Sequence, residues 1–187
     1  MSVPQLYRSL NIGDPYIPAP SANVYVGTGT AMAVAADRVY LALLNRNSAV
    51  KIDVLRVYVA KEVTAAVTGL VRGYRLFRYS HNSAPTGGTS IAPVRLDTAM
   101  SALAGSIDCM VSSGSGVTPG GTPETVALGT AGVYEEETGG GTGQYDLFDW
   151  RWTSRPVVLN ANEGVYVVQD STAGTGVISA SIVFRVR

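Results

Sequence analysis

Two residues set the limits on the chemistry this chain can carry: His81 is its one histidine and Cys109 its one cysteine. A nucleophile–base pair has to use His81. It lies in a loop-like run, His81-Asn82-Ser83-Ala84-Pro85-Thr86-Gly87-Gly88, with no acidic residue within ten positions and nothing marking a partner Ser or Cys. One His and one Cys exclude a His/Cys-dominated zinc site within a single chain, and a lone Cys109 excludes an intramolecular disulfide framework. Cys109 is expected to be a small buried apolar residue. Asp146, Asp149, Glu163 and Asp170 are scattered, so a carboxylate pair for glycoside hydrolysis has no local signature. Glu135-Glu136-Glu137 lacks the alternating spacing of a calcium loop and is expected to be solvated. Gly27-Thr28-Gly29-Thr30 and Gly139 to Gly143 match neither a P-loop nor a dinucleotide fingerprint and are expected to be turns. No cofactor is expected. The aromatic set Tyr145, Phe148, Trp150 and Trp152 is the exception, because such rings stack on sugars. Its bland counterpart is that Trp150 and Trp152 share one sheet face and fill the core, leaving Asp149 and Arg151 outward for an ion pair between subunits.

The elements that would position these residues are strands. The pattern predicts strands over Arg38 to Leu44, Ala49 to Lys61 (entering a two-sided core after Leu55-Arg56 or bending at a bulge), Gly69 to Ser80 (with Gly73 a bulge site) and Ile107 to Ser112. It adds Gln144 to Trp152, Arg155 to Leu159, Gly164 to Ser171 and Val177 to Arg187. In the last strand Ile178, Ala180, Ile182, Phe184 and Val186 face one way, and Val177, Ser179, Ser181, Val183, Arg185 and Arg187 the other. That alternation marks an antiparallel sheet with one face in the core. Thr64 to Thr68 and Leu96 to Leu103 read as short connections or helical turns. Residues 112–143, with 10 glycines, are the loosest part: a surface excursion, or short strands on a long hairpin.

Residues 1–30 carry Pro4, Pro15, Pro18 and Pro20, which oppose helix and central strand. Leu6, Tyr7, Leu10, Ile12, Tyr16 and Ile17 are too apolar for a free linker. An extended N-terminal arm is expected, followed by a β-sandwich domain over 31–187. Strands at short spacing joined by Gly/Asn/Ser/Thr turns indicate an all-β, antiparallel β-sandwich, with a jelly roll the best single topology and an immunoglobulin-like sandwich next.

Composition narrows the partners. In 187 residues there are 14 basic and 14 acidic side chains and only 15% charged residues, against roughly 25% in an average soluble domain. Zero net charge argues against a nucleic-acid groove driven by phosphate neutralisation. No apolar run approaches the roughly 18–20 residues that span a bilayer, and the N-terminal stretch lacks the basic and apolar regions of a signal peptide. No membrane partner and no nucleic acid are expected. The basic residues are 12 Arg and 2 Lys. Arg is enriched in protein interfaces where Lys is depleted, so a surface largely in contact with other protein is expected.

The segments Arg38 to Val59 (RVYLALLNRNSAVKIDVLRVYV) and Arg155 to Arg187 (RPVVLNANEGVYVVQDSTAGTGVISASIVFRVR) resemble small virion proteins of tailed bacteriophages. The likeness covers about half the chain and rests on pattern. It implies a virion location after assembly in the host cytoplasm. It also implies a non-enzymatic role, with capsid decoration (cement) first and a host-recognition glycan-binding module as the alternative. The implied partners are the major capsid protein or other virion subunits, with the chain itself a homotrimer. On that view the arm, with Tyr7 and Tyr16, reaches a neighbour. Arg72, Arg75, Arg78 and Arg151 pair with acidic groups on partners.

Overall fold

The structure, a computed structural model, describes residues 23–62, 70–97, 103, 105–135, 143–172 and 176–187. Two antiparallel sheets pack face to face as an all-β sandwich. The strands are β1 (Asn23–Ala33), β2 (Val39–Asn45), β3 (Ile52–Glu62), β4 (Leu70–Ser80), β5 (Thr89–Ser90), β6 (Val94–Arg95) and β7 (Ile107–Val111). They continue as β8 (Thr122–Pro123), β9 (Gly129–Glu135), β10 (Gly143–Asp149), β11 (Val157–Leu159), β12 (Glu163–Gln169) and β13 (Val177–Val186). One helical turn, α1 (Trp150–Thr153), separates β10 from β11.

The first sheet runs β10-β3-β13-β1-β6, with β11 on the edge of β3 that β10 also uses. The second runs β5-β7-β2-β12-β4-β8, with β9 beside β8 along β4. The ends of the chain are nested: β1 pairs with β13 and β2 with β12, so distant segments close the fold. The alternation expected of β13 holds except at Ser181. Ile178, Ala180, Ile182 and Phe184 are buried and Val186 is half-buried. On the other face Val177, Ser179 and Val183 are partly exposed and Arg185 less so, while Ser181 is buried beside Thr28, the two hydroxyls 3.0 Å apart. Leu41 and Leu43, Val54, Val57 and Val59, Leu76, and Val165 and Val167 fill the space between the sheets with them. Of the two readings of β3, the bulge is present: the register with β13 shifts between Arg56 and Val54.

Four expectations are corrected. Residues 23–30 are strand rather than arm, and Gly27-Thr28-Gly29-Thr30 lies inside β1 rather than in a turn. A Cβ on Gly27 would stand 2.6 Å from the Cys109 sulfur, and one on Gly29 would stand 2.8 Å from Val111 Cγ1. These glycines let β1 approach the opposing sheet where β7 crosses it. Gly73 is not a bulge: β4 pairs in unbroken register on both sides, and Gly73 leaves room for Asp170, whose carboxylate accepts its N–H at 2.8 Å. Within the 112–143 segment, the described residues 112–135 are not a loose excursion but carry short strands, and these pair with β4 rather than with each other. Val117 N–H donates to Val39 O, Thr86 and Thr118 exchange two backbone bonds, and β8 and β9 cover the edge of β4. The strand glycines Gly129 and Gly132 are tolerated because the backbone there pairs with β4. Finally, β10 stops at Asp149 instead of continuing to Trp152. A register shift between Asp146 and Phe148 turns both Leu147 and Phe148 inward, and Asp149 then caps α1 by accepting Arg151 N–H at 2.9 Å.

Residues 1–22, 63–69, 98–102 and 136–142 lie outside the described residues. So do residues 104 and 173–175, and with them the arm up to residue 22, the Thr64 to Thr68 connection, most of Leu96 to Leu103, and all of the Glu135–Glu137 run but Glu135.

Candidate functional site

The expected partner-facing arginines do not form one surface. Side chains in a strand alternate with period two, so arginines three apart fall on opposite faces. Arg72 is fully buried inside the sandwich and Arg75 is exposed. Arg78 reaches across the end of the sandwich, donating to the Val158 carbonyl of the other sheet, with Glu163 3.7 Å away. Arg72 and Arg78 are thus engaged within the fold, and of the three Arg75 is the exposed one. Replacing Arg78 with alanine should cost about 1 kcal/mol by removing the donor to the partly buried Val158 carbonyl, whereas Arg75→Ala should stay within about 0.5 kcal/mol. Urea unfolding of the two variants checks the contrast.

Arg151 is also tied within the chain. Its guanidinium holds the buried carboxylate of Asp149, drawing that group below the ordinary carboxylate range. Asp149 is thus inward, and the ion pair is intramolecular rather than between subunits. The same holds elsewhere: Arg46 pairs bidentately with Asp108, Arg56 with Asp146, and Arg185 and Arg187 with Asp53. The excess of Arg over Lys thus serves planar pairing within the fold. Tyr7 and Tyr16 lie outside the described residues.

The aromatic set at 145–152 does not make a sugar platform. Phe148 is buried, Tyr145 and Trp150 pack partly against the core, and Trp152 alone is largely exposed at 64%. The expectation that both tryptophans fill the core fails for Trp152. Cys109 is buried as expected, and that burial pushes its thiol up to about 12. His81 lies against Gly120 and donates its backbone N–H to Asn162 O. Among the described residues no group of three or more His, Cys, Asp or Glu side chains is placed to hold a metal ion, and no helix is long and apolar enough to cross a membrane.

A different site emerges on the outer face of the second sheet, where β4, β12 and the start of β2 lie side by side. Alternation on β12 buries Val165 and Val167 and turns Tyr166 and Val168 outward. Register places Phe77 opposite Tyr166 and Arg75 opposite Val168. The Phe77 and Tyr166 rings stack at 5.7 Å with 26° between their planes, and Tyr79 meets Tyr166 edge-on at 5.7 Å. Two hollows flank this pair and share Val168. The first, about 280 Å³, is lined by Val39, Pro119, Gly120, Pro123 and Tyr166; the second, about 220 Å³, by Asp37, Arg75, Phe77, Asp170 and Ser171. Asp37 is exposed and held in the left-handed region (φ 54°) by donating its N–H to Asp170 O.

Burial raises the Tyr166 phenol, so it stays protonated at neutral pH. Burial opposes the charge of Asp170, but the N–H groups of Thr172 and Gly73 and the nearby Arg75 outweigh it, and the carboxyl stays below its ordinary value. A depressed folded value stabilises the protein above the unfolded value of about 3.9, and that contribution is lost as pH falls through the folded value. Urea midpoints from neutral to acid pH should therefore decline, and Asp170→Asn should flatten part of the decline.

By sequence, Tyr166 and Phe77 carried no signal beyond strand propensity; only their register across β4 and β12 joins them. The fold and this site define the class: an antiparallel β-sandwich with an aromatic groove on one outer face. Compared with known proteins, the chain matches no family model, no curated protein and no solved structure.

Proposed function

We propose that the chain is a non-enzymatic structural subunit of a phage particle, a capsid decoration (cement) protein that acts as a homotrimer on the shell. The observation that carries the reading is the nested strand order. Taking β10/β11 and β8/β9 as interrupted single strands, the sheets contain β1-β13-β3-β10/β11 and β2-β12-β4-β8/β9. Read this way, with β5, β6 and β7 as an insertion between β4 and β8, the order supports two interlocked Greek keys, a jelly roll. Jelly rolls serve as viral capsid and lectin domains. The sequence resemblance to phage virion proteins favours the first of these. The β6 edge adds support: Val94 and Leu96 are 68% and 65% exposed there, beside a hollow lined by Ile91, Pro93, Leu103 and Ile107. Exposed apolar rows at a sheet edge suit contact with another subunit.

Sedimentation equilibrium tests the assembly state. A trimer of the 19.6 kDa chain is expected, dissociating in Leu96→Glu; a wild-type monomer at all concentrations contradicts the reading. A glycan-binding module is the second reading, and the Phe77–Tyr166 groove favours it over a site at residues 145–152.

A further inference from the structure

We infer that the outer-face groove of the second sheet, centred on Phe77, Tyr166 and Val168, binds a neutral oligosaccharide. The inference gives the glycan-binding reading a location and stands apart from the cement reading. The two adjoining hollows, about 280 Å³ and about 220 Å³, together reach the roughly 300–1,000 Å³ of ligand-sized clefts. Their chemistry differs from one end to the other. Tyr166, Val39, Pro119 and Pro123 make the first hollow apolar, which suits the C–H face of a pyranose ring. Arg75, Asp37 and Ser171 edge the second with a cationic donor, a carboxylate acceptor and a hydroxyl.

A ligand spanning both hollows must offer apolar faces and must also donate and accept hydrogen bonds. Sugar hydroxyls do both. Arg75 stands beside two carboxylates, Asp37 and Asp170, so an anionic ligand meets repulsion here. The Asp170 carboxylate already accepts the Thr172 and Gly73 N–H groups, which leaves Asp37 to accept from an uncharged hydroxyl. Two other occupants fit less well. β2, β4 and β12 are each paired on both edges, so an extended peptide has no strand edge to add to here. A proline-rich peptide could lie on the rings, but proline has no N–H and would leave the Asp37 carboxylate without a donor. The left-handed Asp37 backbone fits a binding role, since such strain persists where surrounding structure holds it and gathers at ligand sites.

The test is amide-shift mapping by NMR of the full chain with maltotriose, cellotriose, chitotriose and mannotriose at millimolar concentration, and with a deca-proline peptide in parallel. At least one trisaccharide should shift the amides of Tyr166, Val168, Gly120 and Arg75. Tyr166→Leu should weaken binding about tenfold, the loss of one aromatic partner. Arg75→Ala, on the exposed face, should weaken it several-fold with an unchanged melting temperature, which keeps the test valid if Tyr166→Leu disturbs folding. Sugar shifts centred on Trp152 would overturn the groove while leaving a glycan-binding function standing. No sugar shift anywhere would overturn both. Deca-proline shifting the groove amides where the sugars do not would assign the groove to a peptide and overturn the proposal.

Discussion

Replacing Asp53 with alanine should lower the unfolding free energy by about 3 kcal/mol, the scale of removing one partner from a buried ion pair. Asp53 lies on β3, fully buried, directly opposite Arg185 of β13. The Arg185 guanidinium reaches its carboxylate through Nε at 3.1 Å and through Nη2, and Arg187 Nε reaches the other oxygen at 2.9 Å. Arg185 is only 13% exposed, so losing the carboxylate strands a largely desolvated cation. Arg187, 49% exposed, can turn to water, and Arg187→Ala should cost no more than about 1 kcal/mol. Asp53→Asn, which keeps the shape and one acceptor, should fall between the two. Urea unfolding with an unchanged m value measures all three. An Asp53→Ala loss no larger than that of Arg187→Ala would contradict the buried triad.

The second large effect concerns the separation of the sheets. Gly27→Val should destabilise by about 3 kcal/mol through overpacking, because its Cβ would stand 2.6 Å from the Cys109 sulfur and 3.4 Å from Ile182 Cγ2. Cys109→Ala alone should cost about 1 kcal/mol as a small cavity. Combined, the two should cost at least about 1 kcal/mol less than their sum, since the alanine vacates the space the valine needs. A strictly additive double variant would mean that β1 and β7 do not face each other at this point.

These contacts mark where sequence reading works and where it stops. The β13 alternation was legible because one face meets only core and the other only solvent or polar partners. The same rule splits Arg72 and Arg78 from Arg75 between the two faces of β4, a division that composition does not carry. Gly27 and Gly29 resembled a turn because glycine in a strand is rare, and the reason for it, a sulfur and a valine across the sandwich, is set by residues more than 80 positions away. The 145–152 run kept its period-two pattern in sequence but lost it in structure at the shift beside Leu147, where the extra residue reverses the faces. The Arg/Asp pairs show the same limit. A preference for Arg over Lys announces planar pairing, but only tertiary register decides whether the partner lies in the same chain.

The candidate site lay furthest from the sequence. Tyr166 sits in a run that reads as a strand, Phe77 in another, and Pro119 and Pro123 in the segment that looked loosest. The groove exists because β12 lies between β2 and β4 and because residues 113–123 are held beside it by bonds to Val39 and Thr86.

The most direct test of the proposed role is electron microscopy of purified phage particles labelled with an antibody to this chain. The account predicts label arrayed over the capsid lattice at a regular spacing, with the protein recovered from intact particles. Label confined to fibre tips or tail, or a chain absent from the particles, would contradict it.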